Sequence, residues 1–452
     1  MGDDCSHNVG LGMSADGILE STLVEILQVI QPLRSDWNLR LRILHELRSV
    51  AESVDSLRGA TVEPFGSFLS NLFTRWGDMD ISIEVPNGTF IAFLGKKRKL
   101  SLLADLQAAL RRAGGIRRLQ LIAHARVPIL KFESNYHNIS CDISINNLQG
   151  QMKSKYLYWI SDIDGRFRSM VLLVKEWAKA IDINDSKTGT LSSFSLCLLV
   201  IFHLQTCVPA ILPPLKEIYP GNMVEDLTGE RAVAERQIYD VCAANITKFK
   251  SGSRKVNQAS LSQLFISFLE KFSDIDVKAS TQGICPFTGQ WEDLQGNMRW
   301  LPKTYALFIE DPLEQPENSA RAVSTRQLSR ISKAFEATHK RLTMNLERTA
   351  LVTTLLRPQI AQYIPGIQLT FPSNYIGSHH STRPWGQNGS VSSKIHRSRN
   401  AKPQNRPNNM NGQNSAQTVQ TQGQQQIWIP KPKIGSSNEL KIIPHWTTEA
   451  YG

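Results

Sequence analysis

The chain reads as an α+β protein: a mixed sheet with helices, then a mostly helical region, then a tail without a core. Three observations predict this. Between Thr61 and Ile145, apolar and polar residues alternate at the period of two that a half-buried strand requires. On both sides, from Ile18 to about Leu57 and from about Lys153 to about Leu346, apolar residues recur at helical spacing. After about Pro372, Gln, Asn, Ser and Gly displace the core-forming residues, so burial cannot offset the entropy of ordering.

Taken in order, residues 1–16 are polar and expected to be flexible, and Asp3 and Asp4 exclude a secretory signal. Leu19, Leu23, Ile26, Leu27 and Ile30, then Leu39, Leu41, Leu44 and Leu47, predict two helices or one broken at Pro32. These helices (17–57) are expected to pack with the helical region. A mixed strand-and-helix domain spans 58–152: strand Thr61–Phe65, a turn at Gly66-Ser67, strand Asp78–Val85, a helix over 100–113, and strands Val127–Glu133 and Ser140–Ile145. A helical domain spans 153–346, with helices at Met170–Ile181, Ser192–Cys207, Ala232–Ile246 and Leu261–Phe272, and a last run after the Pro-rich turn at 312–316. Residues 347–372 read as a linker and 373–452 as a disordered, basic, Gln/Asn-rich tail.

No stretch reaches the roughly 18–20 apolar residues a membrane span needs. Six scattered cysteines form no C-x-x-C pair and no zinc spacing, and read as reduced, buried thiols of an intracellular protein. The net charge of +11 is concentrated. From Leu351 onward ten Lys/Arg face two Asp/Glu, a net of +8, leaving +3 on the preceding 350 residues. A basic appendage on a near-neutral body points to a polyanion, and six of those cations lie between Arg383 and Arg406. The run Lys96-Lys97-Arg98-Lys99 fits a nuclear-localisation signal, an RNA-facing loop or a solvated helix start.

The chemistry is carried by Gly66-Ser67, ten residues, then Asp78-Met79-Asp80. Residues two apart on a strand face the same way, so Asp78 and Asp80 are expected to project together while Met79, Ile81, Ile83 and Val85 face the core. Adjacent carboxylates repel unless a cation lies between them, and hard oxygen ligands suit Mg²⁺ or Mn²⁺. Asp142 sits in the alternating run Cys141-Asp142-Ile143-Ser144-Ile145. A third carboxylate from a neighbouring strand completes a two-metal site for in-line phosphoryl transfer. A lone D-x-D is commonly only a solvated strand edge. Strand, Gly-Ser turn, D-x-D strand and a later D-bearing strand in one order are much more specific.

F-G-S-(x10)-D-M-D followed by C-D-I-S-I-N-N resembles the polymerase-β-type nucleotidyltransferases, in their poly(A) polymerase and terminal uridylyltransferase branch. The resemblance covers about residues 17–346. It extends to R-S-M-V-L-L-V-K-E-W-A-K (168–179), G-T-L-S-S-F-S-L (189–196) and I-E-D-P-L-E-Q-P-E-N (309–318). With the Gln-rich tail, the chain is most similar to the plant uridylyltransferases that act on small RNAs lacking a 3′-terminal 2′-O-methyl group. The resemblance implies a polymerase-β-like catalytic domain and a helical domain with a PAP-associated region at about 258–318. It also implies template-independent addition of uridine from UTP to single-stranded RNA 3′ ends, such as unmethylated miRNA or siRNA, promoting their decay in nucleus and cytoplasm.

Residue by residue, it implies that Gly66 and Ser67 bind the triphosphate, with Asp78 and Asp80 on both metals. Asp142 would bind the metal that activates the RNA 3′-hydroxyl, and as a positioned carboxylate it would also take the proton. Lys175 and Lys179, four apart on one helix face, would neutralise the β- and γ-phosphates. Ser193 would contact the triphosphate, and Phe194 would stack on the base where relatives usually carry tyrosine. Asp311, Glu314 and Glu317 fall in the nucleotide-recognition motif. Several uridylyltransferases place a histidine where this chain has Glu317, and a carboxylate there could accept from uracil N3–H or from an adenine amino group. Among Asn146, Asn147, Gln149 and Lys153, none matches the asparagine expected at the ribose hydroxyl. Trp385-Gly386 resembles the Trp-Gly hooks that dock in Argonaute. Competing readings are a poly(A) polymerase using ATP and a catalytically silent RNA- or Argonaute-binding scaffold.

Overall fold

Residues 15–86, 89–91, 93–300, 304–344 and 347–367 are described in the computed structural model, with the backbone of 431–433 and 441–443. The N-terminal pattern resolves into two helices, α1 (Ala15–Ile30) and α2 (Arg34–Glu52). Pro32 lacks the N–H a helix interior needs, and the Asp36 carboxylate accepts from the Leu33 N–H at 2.8 Å to start α2 afresh. The strands and helices of the alternating region are β1 (Thr61–Phe65), α3 (Gly66–Leu69), β2 (Met79–Glu84), α4 (Lys96–Ala113), β3 (Ile116–Ile122), β4 (Ile129–Ser134) and β5 (Ser140–Ile145).

They form one sheet in the order β1-β2-β5-β4-β3, antiparallel except for the parallel pair β2/β5. The pleat sorts the residues by face. Met79, Ile81, Ile83, Cys141, Ile143, Ile145 and Leu130 are fully buried, and Leu102, Leu103 and Leu106 of α4 are buried with them. The same alternation sends Asp80 and Asp142 to the opposite face.

The helical part follows: α5 (Leu148–Ser161), α6 (Gly165–Ala180), α7 (Ser193–Gln205), α8 (Met223–Asp226), α9 (Arg231–Ser251), α10 (Leu261–Lys271) and α11 (Ile275–Lys278). A hairpin of β6 (Gln282–Cys285) and β7 (Gln290–Asp293), then α12 (Thr325–Met344), α13 (Arg348–Leu355) and α14 (Pro358–Ala361), complete it. α7 is buried on every side from Ser195 to Gln205, as its unbroken apolar run requires. Around it Phe268, Phe272 and Phe335 interlock edge-on or tilted, Trp177 meets Phe265 edge-on, and the Trp177 indole N–H donates to Thr338 Oγ1 at 3.0 Å.

Several expectations are corrected. Only α1 packs with the helical part, against α6, α10 and α13, whereas α2 packs on β1 and α4. Gly66-Ser67 is not a simple turn but opens the one-turn helix α3. The 152/153 boundary falls inside α5. Residues 347–372 are not a linker up to 367: Leu351, Val352, Leu355, Ile360 and Ile364 of α13, α14 and the following turn are buried in the main core. The Lys96–Lys99 run is a helix start, with Lys96 Nζ donating to the Ala125 carbonyl at 3.1 Å and Lys99 Nζ to that of Asn146 at 3.3 Å. The expected flexible N-terminus (up to 14) and the tail (373–452), including Trp385-Gly386, lie outside the described residues. The exception is a separate unit in which Lys431–Lys433 pairs antiparallel with Lys441–Ile443, where Ile442-Ile443 supplies the strand propensity.

Candidate active site

The parallel β2/β5 pairing aligns Asp80 with Asp142, and the antiparallel β4/β5 pairing aligns Lys131 with Asp142. Three strands thus carry a carboxylate, a carboxylate and an ammonium side by side on one face. Asp78 is not on the strand as expected. It lies one residue ahead of β2 and is exposed, while Asp80 and Asp142 are half-buried. Burial and the charges of Asp142 and Asp78 push the Asp80 carboxyl up to about 7, against the pull of Lys175 and Lys131. Lys131 Nζ donates to Asp142 Oδ1 at 3.0 Å. Burial alone would lower the Lys131 pKa, but that bond and the surrounding carboxylates hold it above its ordinary value.

Gly66 faces this cluster at φ +65°, and a Cβ there would overlap the Asp80 carboxylate. Its N–H donates to Ser154 Oγ at 2.7 Å, tying α3 to α5. The loop into the D-x-D is pinned from two sides. Buried Arg40 donates through Nη2 to the Gly77 carbonyl at 2.7 Å and the Arg75 carbonyl at 3.2 Å. From α6, Lys175 Nζ donates to the Leu72 carbonyl at 2.8 Å and Arg168 Nε to that of Asn71 at 2.9 Å. Glu176 Oε1 accepts from Thr74 Oγ1 at 3.0 Å.

Lys175 is buried beside Asp80, and burial draws its pKa below the ordinary value. Lys179 is half-buried and paired instead with Glu176 at 3.2 Å, which also accepts from Arg357 Nη2 at 2.9 Å. The two lysines therefore differ in setting despite sharing a helix face. Ser193 is exposed next to Asn184, at 3.3 Å, and its neighbour Ser192 caps α7 by accepting from the Ser195 N–H at 3.0 Å.

A second cluster forms around Phe194, whose ring is half-buried against the core with Lys153 Nζ 5.5 Å from its centroid. Lys153 Nζ donates to Asp311 Oδ2 at 2.5 Å and Glu314 Oε2 at 2.8 Å. Glu314 Oε1 pairs with Arg126, from the loop between β3 and β4, and Arg126 Nη1 lies 3.7 Å from Glu317 Oε2. Arg321 Nη1 backs Glu317 at 3.5 Å. Burial opposes ionisation of Glu314, yet Lys153 and Arg126 hold its carboxyl below the ordinary range. The recognition loop is itself anchored: Asn318 Oδ1 accepts from the Ile309 and Ala320 N–H groups at 3.0 and 2.8 Å.

The two clusters meet on α5, where Ser154 holds Gly66 and the adjacent Lys153 holds Asp311 and Glu314. Asn146 and Asn147 prove architectural. Asn146 Oδ1 accepts from the Val85 N–H at 2.9 Å, and Asn147 caps α5 through Gly150 at 3.1 Å. Lys153, Arg126, Arg40 and Glu176 were not assigned from sequence; only Glu176 leaves a trace, a second charge beside Lys175 inside the apolar run 170–178.

A divalent cation fits the first cluster by its chemistry. Asp142 and Asp78 lie near enough to add their charge to burial in raising the Asp80 carboxyl to about 7, and a glycine leaves the space before it open. The carboxylates are not drawn into a closed cage: among the described residues no group of three His, Cys, Asp or Glu side chains is arranged to hold a metal. Among the described residues, too, no helix is long and apolar enough to cross a membrane.

Residues 19–162 match the central palm domain of poly(A) RNA polymerases of the mitochondrial type. Protein HESO1 of Arabidopsis thaliana is 52% identical over 435 residues, 96% of this chain and 78% of that protein. Poly(A) RNA polymerase GLD2 of Mus musculus is 31% identical over 265 residues, 58% of this chain but only 51% of that one. Among solved structures, a cytoplasmic RNA terminal U-transferase superposes with a TM-score of 0.57 at 24% identity, over 75% of this chain and 99% of that one. mtPAP in complex with UTP gives 0.59 at 20% identity, over 77% and 74%. At these identities the superpositions establish the fold alone.

Proposed function

The chain belongs to the poly(A) polymerase and terminal uridylyltransferase family of polymerase-β-type nucleotidyltransferases, and from that premise we propose that it adds uridines, without a template, to RNA 3′ ends. One observation carries the reading. Asp80 and Asp142 stand in register across β2/β5, and the helix that holds the glycine facing them also holds the recognition loop beside Phe194. Triphosphate and base subsites are thereby fixed at one spacing.

The RNA 3′-hydroxyl attacks the α-phosphorus of UTP; the new P–O bond forms as the α–β bridging bond breaks and pyrophosphate leaves. Asp142 takes the hydroxyl proton, Gly66 and Ser67 seat the triphosphate, and Lys175, Lys179 and Ser193 offset its charge. Mg²⁺ or Mn²⁺, held by Asp78, Asp80 and Asp142, would supply activation of the hydroxyl and charge neutralisation at the α-phosphate. Phe194 stacks on the base, and Asp311, Glu314 and Glu317 frame its edge.

The RNA substrates are small RNAs lacking a 3′-terminal 2′-O-methyl group, in nucleus and cytoplasm. The 52% identity to Protein HESO1 supports a plant-type small-RNA substrate, the charge of 373–452 supports RNA contact, and Trp385-Gly386 is the feature that supports Argonaute contact. Incubating the purified chain with labelled RNA and each nucleoside triphosphate in turn tests the activity. Extension is expected with UTP and lost in Asp142→Asn with RNA binding retained. Equal or longer extension with ATP would overturn the uridine assignment.

A further inference from the structure

Glu314 sits between two cations. Its Oε2 accepts from Lys153 at 2.8 Å and its Oε1 from Arg126, so ammonium, carboxylate and guanidinium stand in a row whose Lys153 end lies 5.5 Å from the Phe194 ring centroid. The row reads donor, acceptor, donor, and capacity remains in each member. Lys153 has three N–H donors, two of them used on Asp311 and Glu314. A carboxylate has about four lone-pair sites and a guanidinium five N–H donors.

The bases differ in the edge they offer such a row. Uracil presents O2, N3–H and O4: acceptor, donor, acceptor. Cytosine puts an amino donor at position 4 and an acceptor at N3, and adenine likewise pairs an amino donor with an acceptor at N1. Guanine places an amino donor opposite a cation. Uracil alone matches all three members. Lys153 adjoins Ser154, which holds the glycine at the triphosphate subsite. The sugar-side O2 therefore falls to Lys153 and the outer O4 to Arg126.

We propose that Arg126, reaching from the β3–β4 loop across to the recognition loop, is the specificity-determining residue that donates to uracil O4, with Lys153 donating to O2 and Glu314 accepting from N3–H. Glu317 then acts on the base edge only through Arg126. Its carboxylate, 3.7 Å from Arg126 Nη1, holds the guanidinium in place, as Asp311 holds Lys153 at 2.5 Å. The donor that a histidine supplies in several uridylyltransferases comes here from another strand connection. This assignment rests on the uridylyltransferase reading above.

The test uses the full chain and compares kcat/KM for UTP, CTP and ATP within each variant, so that losses of folded fraction cancel. Arg126 is exposed on its loop, so losing its charged donor costs discrimination at the low end for such a bond, about tenfold. Arg126→Ala should lower the UTP/CTP ratio by that factor. Lys153→Met should lower UTP/ATP while leaving UTP/CTP in place, because both pyrimidines carry O2. 4-Thiouridine triphosphate, which keeps O2 and N3–H but carries a weakly accepting sulfur at position 4, should be a poorer substrate than UTP for the wild type, and no poorer than UTP for Arg126→Ala or, if that variant is too slow, Arg126→Met. A wild-type preference for ATP would overturn the uridylyltransferase reading itself. A wild-type preference for UTP with an Arg126→Ala ratio within twofold of it would overturn the role of Arg126 alone.

Discussion

Asp80→Asn should abolish RNA extension and yet make the metal-free protein more stable. The Asp80 carboxyl is pushed from 3.8 to about 7 by burial and by Asp142 and Asp78. A carboxyl raised in the folded state is a liability wherever the unfolded chain would ionise it. Below about 3.8 both states hold the proton and nothing is lost; the penalty grows from there and is complete above about 7. About three pKa units at 1.36 kcal/mol each make it at most about 4 kcal/mol at pH 8, and under about 1 kcal/mol at pH 4. Asparagine keeps the shape and removes the charge.

At roughly 2 °C per kcal/mol for a chain of this size, the variant should melt about 8 °C above the wild type at pH 8 in EDTA. The gap should close at pH 4. Adding Mg²⁺ should raise the wild type more than the variant, because the cation relieves in one what the other no longer suffers. Thermal denaturation of both proteins at the two pH values, with and without Mg²⁺, measures all three. A variant that melts at or below the wild type at pH 8 in EDTA would refute the claim that this cluster carries uncompensated negative charge.

Glu176→Gln leaves Lys179 and Arg357, paired at 3.2 and 2.9 Å, without their buried counter-charge. Both cations keep some solvent contact, so the low end of about 3 kcal/mol applies, a melting point lower by about 6 °C at pH 7. Because Lys179 and Arg357 win over burial to hold the Glu176 pKa below 4.5, this stabilisation is present above that pH and lost as pH falls through the folded value. The gap between wild type and variant should therefore narrow in acid, which a pH series of melts checks. Gly66→Ala forces an L residue to φ +65°, costing about 1–2 kcal/mol, and drives its Cβ into the Asp80 carboxylate. Extension should fall at least a hundredfold with a melting point within about 4 °C of wild type; normal extension rates would show that the glycine does not set the approach to Asp80.

The sheet strands that carry the chemistry were legible because one face is uniformly apolar: Met79, Ile81 and Ile83 in β2, Cys141, Ile143 and Ile145 in β5. β3 was not. Its sequence, Ile-Arg-Arg-Leu-Gln-Leu-Ile, lies at the sheet edge, half exposed, and its register shifts around Arg118 at φ +52°, which breaks the alternation. Helices α13 and α14 were read as linker because Arg357-Pro358 interrupts their short apolar run, although both halves reach the core. Parallel pairing of Asp80 with Asp142 has no local signature at all, since it is set by packing across 62 residues. The same holds for Arg126 with Glu314, 188 residues apart, and Arg357 with Glu176, 181 apart. Charged residues on surface-like stretches look alike until their partners are known.

The two halves of the cleft solve their electrostatics in opposite ways, and this separates what each half does. Around the base subsite three carboxylates, Asp311, Glu314 and Glu317, meet three cations, Lys153, Arg126 and Arg321, so the array is neutral and holds its shape without a ligand. Around Asp80 the carboxylates outnumber their contacts: Lys131 pairs with Asp142, and buried Lys175 gives its hydrogen bond to a backbone carbonyl. That deficit is what a divalent cation and a triphosphate together would correct, so the catalytic half completes itself only with substrate. α5 spans both, since Ser154 fixes Gly66 and Lys153 fixes Glu314 one residue apart. Under the proposed roles, a base that fails to engage Glu314 and its flanking donors would be held off the geometry at which Asp142 takes the proton, so base selection would be exacted in kcat as well as in KM.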